Sequence, residues 1–404
     1  MTEHEKIREM VFQKELAPFA LDPKQTALII IDFQRFFTRP EIVMRFLALL
    51  FLTAGTVLAQ GVSPTRTTQP MEFPRRIILD VDPGIDDAMA VLLALRSPEL
   101  KVEAITTVAG NLPVEVETEN ARKLLELAGR TDVIVAKGAA LPLHGKLIIA
   151  ELVHGENGFG GVVLPAPKIA LDRRDAVQVI HDLIEANPGQ IILMTQGPLT
   201  NIAMAFQRYP DLPAKTREIN ITGGSVGAGL VTPLATPDIY RDAEAAKVVF
   251  ESGVPILMVD LTACMQARFT RKDAARLTES SDAVARFVGA ISERYLDFVE
   301  KNLDPGGKAS YFGALGVGIA IDPLIAKTVK PIHVDIETKG EFSYGATVTN
   351  LSLTSARFEP RGDRLVFTGF APVMPNASYP AVVDGERFAR LFAERMMNSS
   401  SGIH

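Results

Sequence analysis

From Arg76 onward the chain alternates short runs of β-branched and other apolar residues with longer stretches whose apolar positions recur at helical spacing. The apolar runs are Ile77 to Val81, Val102 to Val108, Val133 to Val135, Ile191 to Thr195, Glu218 to Thr222 and Pro255 to Val259. Between them lie Ala88 to Arg96, Val114 to Ala128, Arg174 to Ala186, Leu199 to Gln207 and Ala243 to Glu251. Short strands separated by helices pair in parallel through right-handed crossovers. The pattern therefore predicts an α/β fold: an open, doubly wound, mostly parallel sheet with helices on both faces. Such sheets bind ligands outside the carboxyl ends of their strands. After Val259 the rhythm changes. A long helical region is expected from Asp273 to Lys301, then a Gly-rich bend at Pro305-Gly306-Gly307 and a helix beginning near Asp322. Strand-like runs at Ile332 to Ile336 and Leu365 to Phe367 and a closing helix from Gly385 to Met397 follow. Residues 71–398 read as one domain and 399–404 as a tail.

The amino-terminal part does not share this rhythm. Met44 to Gln60 reads M-R-F-L-A-L-L-F-L-T-A-G-T-V-L-A-Q, a basic residue, an apolar stretch and small residues before a polar one, which is the pattern of a signal peptide. The stretch is shorter than the roughly 20 apolar residues of a membrane span. Translation from Met44 with cleavage after Ala59 predicts a periplasmic or secreted protein with no membrane association once the signal is removed. A cytoplasmic protein is the alternative. Residues 44–70 thus read as a signal-like segment and a polar, Pro-containing linker. In residues 1–43, the run A-L-I-I-I-D-F-Q-R-F-F resembles the first strand of isochorismatase-like cysteine hydrolases, with Asp32 at the catalytic position. No Lys and Cys follow to complete that family's site, so this piece reads as a fragment or a spurious extension.

Composition narrows the chemistry. A chain of 404 residues, 47% hydrophobic, can bury a large core, so a folded site is expected. A formal net charge of -6 without long Lys/Arg runs argues against a nucleic-acid partner, which requires a concentrated basic face. The lone Cys264 can form no internal disulfide and no Cys-rich zinc site, so any metal would be held by oxygen.

The densest polar feature is Asp80-Val81-Asp82-Pro83-Gly84-Ile85-Asp86-Asp87, where the first strand meets a helix. Four carboxylates this close repel one another unless a cation or donated hydrogen bonds offset the repulsion, and a calcium-type ion accepts many oxygen ligands. Capping of the helix would account for one acid only. The run D-V-D-P-G-I-D-D-A is similar to the amino-terminal signature of the nucleoside hydrolase family, in its inosine/uridine-preferring branch. I-T-T-V-A-G-N at Ile105 to Asn111, Q-G-P-L-T-N at Gln196 to Asn201, D-A-E-A-A at Asp242 to Ala246 and I-D-P at Ile321 to Pro323 follow in the family's order.

The resemblance implies a Ca2+-dependent hydrolysis of the N-glycosidic bond of a small nucleoside-like substrate by a homodimer or homotetramer. By the same resemblance Asp82, Asp87, the carbonyl of Gln196 and Asp322 bind the metal, Asp82 is the general base, and Asp86 and Asn111 hold ribose hydroxyls. The chain departs from the family pattern where amides and an acid for ribose are expected, at Leu230, Thr236 and Asp238, of which Asp238 keeps a polar group for substrate. Ile321 stands where a His is common, leaving His154 in V-H-G-E-N-G-F-G-G as the candidate catalytic proton donor and Tyr311 as a weaker one. These departures leave two alternatives: a non-catalytic, metal-dependent sugar-binding protein, and a hydrolase of another glycoside with its pocket rebuilt around Asp238 and Arg241.

Overall fold

The sequence R-R-I-I-L-D-V forms a strand whose alternate side chains enter two different cores. In the computed structural model, which describes residues 73–397, β1 (Arg75–Val81) places Ile77, Leu79 and Val81 on one face of the sheet and Ile78 on the other. The expectations for residues 1–43, 44–70 and 399–404 fall outside the described residues. The chain continues through α1 (Ile85–Leu95), β2 (Leu100–Thr107), α2 (Val114–Leu127), β3 (Ile134–Lys137), α3 (Glu151–His154), α4 (Ala176–Ala186), β4 (Ile192–Thr195), α5 (Thr200–Arg208), α6 (Leu212–Lys215) and β5 (Glu218–Thr222). Next come α7 (Pro237–Arg241), α8 (Ala243–Phe250), β6 (Ile256–Val259), α9 (Leu261–Cys264), β7 (Arg268–Thr270), α10 (Arg271–Thr278), α11 (Ala283–Asn302), β8 (Lys308–Ser310) and α12 (Phe312–Ile321). The described chain ends with β9 (Ala326–Ile336), β10 (Thr347–Asn350), β11 (Thr354–Arg361), β12 (Arg364–Pro372), β13 (Ala377–Val383) and α13 (Gly385–Met397).

Nine strands form one sheet in the order β10-β9-β13-β6-β5-β4-β1-β2-β3. From β3 to β13 all neighbours are parallel, and β9 and β10 add an antiparallel edge. This is the doubly wound α/β architecture that the alternation predicts. Helices α1, α2, α11, α12 and α13 cover the face of Leu79, and α4, α5 and α8 cover the face of Ile78. Because β2 and β3 lie to one side of β1 and β4 to the other, the winding reverses between β1 and β4. A crevice opens at such a reversal, at the carboxyl ends of the two strands.

Two expectations change. The region from Asp273 to Lys301 is two helices, broken at Ser280-Ser281-Asp282, where the Asp282 side chain caps α11 by accepting from Ala285 N. The run Leu365 to Phe367 forms a strand as expected, within β12, and pairs with β11 in a two-stranded sheet apart from the main one. The helix expected to begin near Asp322 is only a 3-10 turn, Pro323–Ile325, capped by the Asp322 side chain, and the main helix of this region ends where that turn begins. F-G-A-L-G-V-G-I-A-I forms α12, buried from Gly313 to Ile321. A helix enclosed on all sides has no polar face, so the apolar periodicity that reveals surface helices is absent from its sequence.

Gly318 in α12 lies against the ring of Phe388 from α13, and a Cβ at position 318 would come 2.4 Å from ring carbons of that fully buried side chain. Alanine improves intrinsic helix propensity by about 1 kcal/mol, but forcing an extra carbon into a packed core costs about 1–3 kcal/mol. Gly318→Ala is therefore expected to lower the unfolding free energy measured by urea denaturation. An unchanged or raised midpoint would contradict this packing.

Candidate active site

Asp82 is the first residue after β1 and has no solvent exposure. Its Oδ2 accepts hydrogen bonds from Asn111 N (2.8 Å) and from the guanidinium of Arg241 (3.3 Å), whereas Oδ1 has no hydrogen-bond partner. The loop after β2 supplies Asn111, whose Nδ2 donates to the Asp82 carbonyl (2.9 Å) and to Asp87 Oδ2 (3.0 Å). Both N–H groups of that amide are thus used inside the protein, and its Oδ1 accepts from Arg241 (2.9 Å). Asp86 and Asp87 sit in the first turn of α1, where the helix N-terminus favours negative charge. Each leaves its Oδ1 without a partner.

These groups surround a cavity of about 350 Å³ lined by Asp86, Asp87, Asn111, His154, Gln196, Asp238 and Arg241 in its polar part. Its mouth is apolar, with Ile148, Ile149, Leu230, Val231 and Leu303 lining it while remaining partly exposed. The expected ribose contacts diverge here. Leu230 presents a hydrocarbon, Thr236 Oγ1 is occupied by Gly224 N (2.8 Å), and Asp238 pairs with Arg241 at 2.9 Å. The structure thus brings Asp82, Asp86, Asp87, Asn111, His154, Gln196 and Asp238 to one place.

Burial, reinforced by the neighbouring carboxylates, pushes Asp82 and Asp87 well above the usual carboxylate range. Asp238 rises to about 6 for the same first reason, with Arg241 opposing. Glu117, buried behind the site and accepting from Leu112 N at 2.6 Å, rises to about 8 by desolvation. Desolvation also lowers His154 to about 4. The Asp86 carboxylate lies 3.9 Å from His154 Nδ1, too far for a hydrogen bond, and Nδ1 instead accepts from Ile85 N at 3.1 Å. The ring is therefore neutral near pH 7 with its proton on Nε2.

Three residues belong elsewhere. Asp322, expected as a metal ligand, ends α12 and pairs with Arg387 while accepting from Leu324 N (3.1 Å). The start of the same helix, Phe312-Gly313, lines the cavity, so Asp322 lies about 15 Å away along its axis. Ile-Asp-Pro here ends α12 and opens a single 3-10 turn, Pro323–Ile325, which the Asp322 side chain caps. Tyr311 is a core residue, packed with ring centroids 4.7 Å from Phe269 and 5.1 Å from Phe388. Asp80 lies within β1, below the carboxyl edge, where it accepts from Thr106 Oγ1 (2.5 Å) and Asn201 Nδ2 (2.8 Å), and burial raises it to about 6.

Sequence reasoning missed the contribution of α12 and the side chain of Gln196. Its Nε2 donates to Gly313 O (3.1 Å) and its Oε1 is buried without a partner. Gly313 carries no side chain, and the amide of Gln196 fills the space beside it. Among the described residues no three His, Cys, Asp or Glu side chains form a metal cluster. The free oxygens of Asp82, Asp87 and Gln196 nevertheless fit a hard divalent cation, which binds carboxylate and amide oxygens and fills its remaining positions with water or ligand hydroxyls.

Residues 77–390 match the family model described as inosine-uridine preferring nucleoside hydrolase. The chain is 36% identical over 320 residues to the pyrimidine-specific ribonucleoside hydrolase RihA of Salmonella arizonae, covering 79% of this chain and 97% of that protein. It is likewise 36% identical over 327 residues to RihA of Escherichia coli, with 79% and 97% covered. Among solved structures, the plant nucleoside hydrolase PpNRh1 superposes with a TM-score of 0.73 at 33% identity, covering 80% of this chain and 99% of that one. A purine-preferring ribonucleoside hydrolase from Gardnerella vaginalis gives 0.71 at 26% identity, over 80% and 99%.

The geometry around His154 predicts that its imidazole titrates near pH 4 and carries its neutral proton on Nε2. Nitrogen-detected NMR of 15N-histidine-labelled protein measures both. A midpoint near pH 6.5, or a proton on Nδ1, would contradict this environment.

Proposed function

The chain belongs to the inosine-uridine preferring nucleoside hydrolase family, whose members hydrolyse the N-glycosidic bond of ribonucleosides, and from that premise we propose that Asp82 is its general base, assisted by a Ca2+ ion. The observation that carries this reading is the division of labour within one carboxylate. Asp82 Oδ2 is held by Asn111 and Arg241, while Oδ1 is free to take a proton from an attacking water. Breaking the glycosidic bond builds positive charge on the sugar, and Asp82, Asp86, Asp87 and Asp238 surround it with negative charge that stabilises the transition state.

Asp82, Asp87 and Gln196 are the residues that would hold the cation, which when bound supplies positive charge that makes a nearby water more acidic and orients sugar hydroxyls. Asp86 and Asp238 take the role of sugar-hydroxyl acceptors, whereas Asn111, its amide N–H groups already used, chiefly brackets Asp82 and Asp87. His154 offers an Nε2–H to the departing base as a hydrogen-bond donor rather than as an imidazolium. Pyrimidine ribonucleosides are the first substrates to try, given the specificity of the RihA relatives. A homodimer or homotetramer is the proposed working form. It is supported by the exposed aromatic side of the hairpin, where Phe367 lies 5.9 Å from Phe358 and 5.3 Å from Phe370, ring centroid to centroid.

With Ca2+ present, Asp82→Asn is expected to lower kcat/KM on a panel of uridine, cytidine and inosine by about 10²–10⁴-fold, the range for loss of a positioned base. Asp322→Asn should leave turnover within about twofold, because an ion pair this far from the cavity touches neither substrate nor base. Release of free base at the wild-type rate by the Asp82 variant would exclude Asp82 from the mechanism.

A further inference from the structure

Arg241 is the last residue of α7, and its side chain is only 8% exposed although it lines the cavity. One nitrogen of its guanidinium lies 2.9 Å from Asp238 Oδ1 and 3.3 Å from Asp82 Oδ2, and the other lies 2.9 Å from Asn111 Oδ1. It thus joins Asp82, Asp238 and the amide that brackets both Asp82 and Asp87. The other charges acting on Asp82 come from Asp238, Glu117 and Asp86, all of them acidic. A guanidinium keeps its charge at every pH the fold survives, so Arg241 cannot vacate the site by losing a proton.

We propose that Arg241 is a tethered counter-cation that shares Asp82 with the divalent ion, holding the site assembled when no ion is bound and weakening the binding of one. The proposal rests on the reading of Asp82, Asp87 and Gln196 as the cation site. The two cations use different oxygens of one carboxylate: Oδ2 is committed to Arg241 and Asn111, and Oδ1 is open. They therefore sit close enough to repel each other in a poorly solvated pocket. The guanidinium also supplies part of the charge that an ion would otherwise bring. Without either cation, Asp82, Asp87 and Asp238 would face one another unscreened.

The test is calorimetric titration of the chelator-treated full chain with Ca2+ alone, together with thermal unfolding with and without Ca2+. Arg241→Met, of similar length and uncharged, is expected to bind Ca2+ about tenfold or more tightly than wild type, a difference typical of removing one nearby like charge. It should unfold at a lower temperature than wild type without Ca2+ and recover most of that loss at saturating Ca2+. Arg241→Lys keeps the charge but cannot bridge all three acceptors, and should fall between the two. Equal or weaker Ca2+ binding by Arg241→Met would overturn the proposal while leaving the cation site standing. If Arg241→Met does not fold even with Ca2+, Arg241→Lys decides: tighter binding than wild type supports the proposal, and equal or weaker binding overturns it. Failure of wild type and both variants to bind Ca2+ would overturn the cation-site reading and this proposal with it.

Discussion

Asp82 is an ionisable carboxylate with no contact with solvent, and most of the site is arranged around the cost of putting it there. An uncompensated buried charge costs several kcal/mol, so a fold that keeps one must supply donors, a counter-charge or a bound cation. The backbone N–H of Asn111 and the guanidinium of Arg241 meet one oxygen. The backbone on either side must also come close. A Cβ on Gly110 would lie 2.1 Å from Asp82 Oδ2, and one on Gly197 would lie 2.6 Å from Oδ1. The glycines of Ala-Gly-Asn and Gln-Gly-Pro are thus explained by the room the carboxylate needs. Gly84 has a similar reason, since a Cβ there would meet His154 Nδ1 at 2.6 Å.

The parallel sheet makes this burial possible. β1 lies between β2 and β4, so the loops that follow all three strands converge on one edge, and Asp82, Asn111 and Gln196 meet there. The end of the strand then sorts the acids. Asp82, the first residue past β1, meets Asn111 and Arg241 at the carboxyl edge, while Asp80, two residues earlier and still within the strand, is enclosed beneath it and orders the turn after β4 through Asn201. Asn201 also binds Thr107 O and Ala139 N, so the loops after β2, β3 and β4 share one buried hydrogen-bond junction. Losing it would loosen the support of the site without touching any group that faces the cavity.

The rest of the cavity combines an acidic floor with an apolar mouth. Leu230, Val231, Ile148 and Ile149 give the outer part little hydrogen-bonding capacity, so polar discrimination is concentrated at Asp86, Asp238, Arg241 and His154. The neutral His154, fixed by the amide that opens α1, presents a donor of defined tautomer. Recognition of the sugar and assistance to the leaving group are therefore set by residues whose protonation states depend on how deeply the fold encloses them.

The sequence by itself determined the alternation of strands and helices, and with it the sheet, its carboxyl edge and the local cluster Asp82, Asp86 and Asp87. These features depend on neighbours in the chain: strand period, a Pro-Gly turn and a helix start. It also determined the strand-end motifs that bring Asn111 and Gln196 to the same edge. Only the tertiary structure decided which polar groups face one another across that edge. Asp322 looked like a ligand because Ile-Asp-Pro is a local signature, yet α12, without a polar face to announce it, carries that residue a helix length away and leaves Phe312 and Gly313 in its place. Arg241 reaches Asp82 across 159 positions of chain, and no local pattern encodes such a contact. Protonation followed the same division. Sequence names the acids and the histidine, but burial and the partners assembled by the fold set their charge.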